Sequence, residues 1–270
     1  TVNPLPSDAS AITGDTDVCR GETGVVYTIA ADPNATGYDW TLPSGFTITN
    51  GDNTNSITVS IANNANTGTI SVNATNGCGD GGSSNLTVNV HYIVADAGLN
   101  ETINYGQNTT LDGGFTGETS GNIGYNWIPE NLLVNPNVEN PTTVNLTSTS
   151  VFTLTTTDNV YGCVDTDNVT ITISGGPLNV TADADPSTIC EGLTSQLSAL
   201  ASGGTQNYTY SWTANNSSWT STSANPSVSP TTTTIYTVEV SDGNETVSDD
   251  VVVTVNPLPS DASAITGDTD

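Results

Sequence analysis

The chain has 270 residues, of which 28 are Asp or Glu and one, Arg20, is basic, for a net charge of −27. With no Lys and one Arg, it has no basic patch to hold phosphates or anionic headgroups, which argues against nucleic-acid and membrane-surface binding. No apolar run nears the ~20 residues that span a bilayer. The length suits two or three domains, and the abundance of Thr, Val, Ser, Asn and Gly favours strands joined by tight turns, an all-β protein.

The first segment, TVNPLPSDASAITGDTD at 1–17, returns letter for letter at 254–270, which sets a period of 253 residues. Such self-similarity is the mark of a tandem array. Within the period a Tyr-x-Trp motif occurs three times, at Tyr38-Asp39-Trp40, Tyr125-Asn126-Trp127 and Tyr210-Ser211-Trp212. In an immunoglobulin-type sandwich a Trp on the third strand packs between the sheets, and the spacing of the three motifs is close to one such domain each.

Each motif is followed by two runs that alternate apolar and polar residues. They are Thr69–Ala74 with Leu86–Val90, Val151–Thr155 with Val169–Ile173, and Ile235–Val240 with Val251–Val255. Period-two alternation puts Val and Ile on a core face and Thr or Asn towards water, so each pair reads as a sandwich's last hairpin. His91 falls between the first and second sandwiches and reads as a linker residue. Gly175-Gly176-Pro177 separates the second from the third, and Asn256-Pro257-Leu258-Pro259 comes after the third. The prolines favour stiff, extended links. The expected domains are 4–90, 91–174 and 175–256. Residues 1–3 then read as the last strand of a preceding copy, and 257–270 as the start of the next.

The VTVNPLP link, the ITGDTDVCRGETGVVYTI opening, the Tyr-x-Trp strand and the ATNGCG and YGCVDTDNVTITI endings resemble the PKD-like, immunoglobulin-like repeats of very large Bacteroidota surface proteins, gliding adhesins among them. The resemblance implies three consecutive sandwiches in an extended end-to-end array, displayed outside the cell as part of a filament or adhesin stalk. Its partners would be neighbouring copies of the same repeat and surface glycans. The same repeats also occur as carbohydrate-binding arrays and as accessory domains of secreted enzymes.

Four cysteines, Cys19, Cys78, Cys163 and Cys190, suggest disulfides in an extracellular β-protein. Two positions recur: one before the second strand (Cys19, Cys190, with Asn104 in the second domain), the other in the last hairpin (Cys78, Cys163, with Asn244-Glu245 in the third). Pairing within domains gives only Cys19–Cys78 and leaves two stray thiols. If the termini of a sandwich lie at opposite poles, the first turn of one domain meets the last hairpin of the next. That pairs Cys19 with Cys163, and Cys78 and Cys190 with neighbouring copies. Both pairings stay open on the sequence, with Cys19–Cys78 as the alternative.

Catalytic chemistry finds no footing. There is one His and no Lys, and the sequence has no Gly-x-Ser-x-Gly elbow, so the expectation is no enzyme and no cofactor beyond calcium. Candidate calcium ligands are Asp15, Asp17, Asp158, Asp165 and Asp167, none in a twelve-residue EF-hand loop. Trp219, outside the Tyr-x-Trp motifs, is the candidate for stacking on a sugar ring. Asn-x-Thr sequons at Asn34, Asn73, Asn100, Asn145, Asn168, Asn207 and Asn244 match the frequency expected from composition.

Overall fold

The structure, a computed structural model, describes residues 4–258. The expected tail of a preceding copy at 1–3, and residues 259–270 of the expected next copy, lie outside them. The described residues are all-β, with one short 3-10 turn at Glu130–Leu132.

In chain order the first eight strands are β1 (Asp17–Cys19), β2 (Thr23–Thr28), β3 (Gly37–Thr41), β4 (Phe46–Asn50), β5 (Ser56–Ile61), β6 (Gly68–Asn76), β7 (Gly79–Asp80) and β8 (Ser84–Asp96). Then come β9 (Glu101–Asn104), β10 (Gly114–Glu118), β11 (Ile123–Ile128), β12 (Leu133–Val134), β13 (Thr142–Thr143), β14 (Ser150–Asp158) and β15 (Val164–Ser174). The last eight are β16 (Asn179–Asp185), β17 (Thr188–Cys190), β18 (Ser195–Ser202), β19 (Thr209–Ala214), β20 (Thr220–Ser221), β21 (Ser227–Val228), β22 (Thr234–Ser241) and β23 (Thr246–Asn256).

The chain divides into two compact units. One holds the described residues up to Leu99 with Thr110–Thr142 and Val151–Val169; the other holds Asn100–Thr109, Thr143–Ser150 and the residues from Thr170 on.

In the first unit, a sheet in the order β2-β5-β4 faces a sheet in the order β1-β8-β6-β3. Strand β5 shows why: Ile57, Val59 and Ile61 are buried while Ser56, Thr58 and Ser60 between them are not. The same alternation buries Ile70, Val72 and Ala74 of β6, and the two faces close over Tyr27, Trp40 and Phe46. The Trp40 indole N–H donates to Thr54 O at 2.8 Å.

Strand β8 does not stop at the expected boundary after Val90. Its first half pairs antiparallel with β6, from Val72↔Ser84 to Gly68↔Val88. Its second half pairs antiparallel with β10, from Glu118↔Tyr92 to Gly114↔Asp96. The buried residues change phase on the way: Val88 and Val90 are buried in the first half, Ile93 and Ala95 in the second. One strand thus offers opposite faces to two cores. The first unit also holds the β11–β14 ladder, Ile123↔Asp158 to Ile128↔Thr153, with Trp127, Phe152 and Leu154 fully buried.

In the second unit, β9 runs parallel to the end of β15, from Ile171↔Glu101 to Ser174↔Asn104. Between β15 and β16 lie four residues without strand structure, Gly175, Gly176, Pro177 and Leu178. Beyond them, sheets β16-β18-β21 and β17-β23-β22-β19-β20 enclose Trp212, Leu197, Tyr236, Val238 and Val253. Trp212 is fully buried and its indole N–H has no protein acceptor, unlike that of Trp40.

Candidate functional site

The residues with distinctive chemistry gather at the ends of the sandwiches, where one turn recurs three times. In the first sandwich, β1 lies parallel to β8 with Cys19 opposite His91. Arg20 N donates to His91 O at 3.0 Å, Asn89 N to Thr16 O at 2.7 Å and Glu22 N to Cys19 O at 3.2 Å. In the third, β17 lies parallel to β23 with Cys190 opposite Asn256. There Glu191 N donates to Asn256 O at 3.0 Å, Thr254 N to Ser187 O at 2.9 Å and Leu193 N to Cys190 O at 3.1 Å. The second unit also repeats the turn at Asn104: Tyr105 N donates to Ser174 O at 2.9 Å and Gln107 N to Asn104 O at 3.1 Å. Each turn passes through a glycine in the left-handed region, Gly21 (φ 79°), Gly106 (φ 78°) and Gly192 (φ 87°), a conformation that costs a side chain energy.

What the turn touches differs. In the first unit Cys19 is bonded to Cys163, with Cα atoms 5.5 Å apart and a sequence separation of 144. Cys163 sits immediately before β15, in the turn that joins it to β14, and Asp158 N donates to its carbonyl at 2.8 Å. Beside the disulfide, the rings of His91 and Tyr161 stack at 3.5 Å between centroids and 8° between planes. The His91 Nε2 lies 2.9 Å from Asp17 Oδ1. That contact, with hydrogen bonds from Asn89 and Thr16, holds the Asp17 carboxyl below its ordinary range. Arg20, the only Arg, lays its guanidinium 3.7 Å from the centre of the Tyr92 ring. It also donates to Ala65 O at 3.0 Å and Asn66 Oδ1 at 3.1 Å. His91 therefore lies inside a strand and in a packed cluster, where the sequence suggested a linker residue.

In the second unit the turn at Asn104 meets the β22–β23 hairpin through one hydrogen bond, from Asn244 Nδ2 to Gly106 O. Asn104 stands where the first unit has Cys19, and Glu245, whose carbonyl accepts from Asp242 N at 3.2 Å, stands where it has Cys163. At the third turn Cys190 is an exposed, free thiol. Cys78 is exposed in the hairpin after β6, with its N–H donating to Asn76 Oδ1 at 2.8 Å.

Asp158, a candidate calcium ligand on the sequence, has a different task. It is fully buried and accepts from Ser120 N at 2.6 Å, Ser120 Oγ at 2.7 Å, Val160 N at 2.9 Å and Tyr161 N at 3.1 Å. Burial alone would raise its pKa, but the bonds from Ser120, Val160 and Tyr161 outweigh that and hold it at about 2. Asp242 does the same work in the third sandwich. It accepts from Thr205 N at 2.8 Å, Asn244 N at 2.9 Å and Glu245 N at 2.7 Å. There too burial pushes the pKa up and the N–H groups of Glu245, Thr205 and Asn244 bring it below the ordinary range. Each carboxylate locks the turn that ends its hairpin.

The other candidate acids are dispersed over separate tasks. Asp165 Oδ2 accepts from Ala95 N at 3.0 Å and Asp167 Oδ2 from Ala97 N at 2.9 Å, tying strand β8 to β15; Asp249 does the same for Ala182 at 2.8 Å. Asp15 offers its backbone carbonyl to the Tyr27 hydroxyl at 3.1 Å. Burial, with Asp15 and Glu22 nearby, pushes the Tyr27 hydroxyl up to about 12. Among the described residues no group of three or more His, Cys, Asp or Glu is placed to hold a metal ion. Trp219, the candidate sugar platform, packs against the third core and meets the Tyr236 ring edge-on at 5.1 Å and 82°. Several sequon asparagines also have structural bonds: Asn100 accepts from Thr170 N and Asn168 from the Thr153 hydroxyl.

The first sandwich coincides with a known domain type. Residues 5–88 match the family model of the PKD-like domain. None of the curated proteins compared matches the sequence. Among solved structures, the chain is similar to an I-band fragment of titin, I67–I69. The TM-score is 0.38 at 12% identity, covering 93% of this chain and 99% of that one. It is also similar to Sidekick-1 immunoglobulin domains 1–5, with a TM-score of 0.36, 13% identity and coverage of 92% and 60%. The N-terminal four Ig domains of Dscam1 isoform 6.9 give 0.33, 11%, 95% and 74%. The PKD-like match ends at residue 88, inside strand β8.

Proposed function

We propose that the chain is the repeat unit of an extracellular filament or adhesin stalk, built from three sandwiches with bounds near 4–90, 91–174 and 175–256. The observation that carries this reading is the joint in the first unit. There a single strand serves two cores while a disulfide ties the turn on one side to the hairpin on the other. Such a joint resists bending and pulling. A disulfide belongs to an oxidising compartment, outside the cytosol. The letter-for-letter 17-residue repeat supports serial copies. The resemblance of the linkers and hairpins to giant bacterial surface repeats supports display at the cell surface.

Single-molecule pulling of the whole chain tests the mechanical part. The bonded loop withholds 144 residues, about 500 Å of contour at ~3.5 Å per residue. Adding reductant is expected to lengthen the released contour by that amount. Antibody labelling of intact cells tests the location: labelling only after permeabilisation would overturn the reading.

A further inference from the structure

We propose that Cys190 is the site of a disulfide to the next copy of the repeat, its partner being the residue that corresponds there to Cys78. The inference rests on the stalk reading above and names what joins successive units.

The recurring turn supplies the first support. Cys190 sits opposite Asn256 with the same three backbone hydrogen bonds that place Cys19 opposite His91. Cys19 uses that position to reach the hairpin cysteine of the sandwich that begins after His91. In the second unit the same turn again meets the last hairpin of the sandwich after it, two residues past Asn104, where Asn244 Nδ2 donates to Gly106 O. Two of the three turns thus engage the next sandwich's last hairpin, and the third carries a solvent-exposed thiol.

Past the third turn the sequence begins again. Asn256 is the counterpart of Asn3, since 254–270 repeats 1–17. The residues after Asn3 form the sandwich whose last hairpin carries Gly77-Cys78, the counterpart of Gly162-Cys163. Cys163 lies 72 residues beyond His91, and Cys78 lies 75 beyond Asn3, so the hairpin returns at a matching distance. In the first unit this spacing brings bridged Cα atoms to 5.5 Å, inside the range a disulfide needs. On oxidation the two thiols would lose two protons and two electrons to a protein dithiol catalyst in its disulfide form, which becomes the dithiol.

The test uses a chain of two successive copies of the 253-residue period, oxidised in a glutathione buffer. In one version Cys190→Ser is placed in the second copy, so that the remaining Cys190 is followed by a full copy. In the other, Cys190→Ser is placed in the first copy, and the remaining Cys190 is terminal. Iodoacetamide under native conditions is expected to spare Cys190 in the first version and label it in the second. Cleavage at acidic residues without reductant is expected to yield a joined Cys190–Cys78 peptide from the first version only. Equal labelling in both versions, or Cys190 joined to Cys78 of its own copy, overturns the proposal. Either result leaves the pulling and surface-labelling outcomes untouched, so failure of the staple is distinct from failure of the stalk.

Discussion

The two joints inside the chain solve one problem with different chemistry. In the first unit the strand is unbroken, the turn and hairpin share a covalent bond, and the His91–Tyr161 stack and the Arg20–Tyr92 contact pack around it. In the second unit the strand is interrupted at Gly175-Gly176-Pro177 and the hairpin reaches the turn by the Asn244 side chain, which donates to Gly106 O. The same turn, with a left-handed glycine in each case, serves both. The scaffold is therefore held constant while the residue that bridges the joint sets its stiffness. A disulfide that closes a long loop contributes several kcal/mol, and a single neutral hydrogen bond about 1 kcal/mol.

The largest test of that contrast is Cys163→Ser. Closing a loop of 144 residues should stabilise by about 4–5 kcal/mol on the chain-entropy scale. The variant is expected to lose about 3–5 kcal/mol of the unfolding free energy in a denaturant titration. Hydrogen exchange should quicken at 91–96 and 160–165 and stay unchanged at 104–107 and 242–245. Equal quickening at both places would erase the distinction between the joints.

Acid should affect both alike, since each hairpin is locked by a buried carboxylate. Asp158 has its pKa lowered to about 2, against ~4 for an exposed Asp. A lowered pKa means that the unfolded chain takes up the proton first as pH falls. The stabilisation is therefore complete above about pH 4 and drains away between there and about 2. Asp242 contributes in the same direction. Asp158→Ala is expected to cost about 2–4 kcal/mol by leaving Ser120, Val160 and Tyr161 without their acceptor, and to flatten the loss of stability over this range. A wild-type melting temperature that holds steady from about pH 4 to about pH 2 would contradict that assignment.

The smallest effects separate the accessory contacts. Tyr161→Ala removes the stacked ring and is expected to cost about 1 kcal/mol in the first unit. Asn244→Ala removes the one side-chain link in the second unit and is expected to cost about 0.5–1.5 kcal/mol there, with exchange quickening confined to 104–107. If Asn244→Ala cost as much as Cys163→Ser, the two joints would be equals in strength.

Much of the fold was legible because alternation is a strong local signal. The runs at Thr69–Ala74 and Ile235–Val240 became β6 and β22, and the Trp residues of the three Tyr-x-Trp motifs are buried. The site was less so. A carboxylate carries one letter whether it binds a cation or caps a turn, and only the N–H groups of Ser120, Val160 and Tyr161 around Asp158 decide which. The signal that could have found it is local: Asp158 and Asp242 each end an alternating run and lead into a turn rich in Asn and Gly, where Asp side chains accept from the N–H two residues on. His91 stacks on a ring 70 residues away in sequence, which no spacing rule marks. The Arg20–Tyr92 contact was equally hidden.

The change of phase along β8 has a consequence for how such a chain can vary. Val88 and Val90 point into one core, Ile93 and Ala95 into the other, and the step from Val90 to Ile93 is odd. Adding or deleting a single residue between them would make that step even. Both pairs would then fall on the same side of the strand, and every residue from Ile93 onward would exchange its inside for its outside. Insertions of one residue are therefore lethal to this joint, whereas pairs of residues preserve its parity. The Gly-Gly-Pro break between β15 and β16 imposes no such arithmetic and can absorb length changes of either kind.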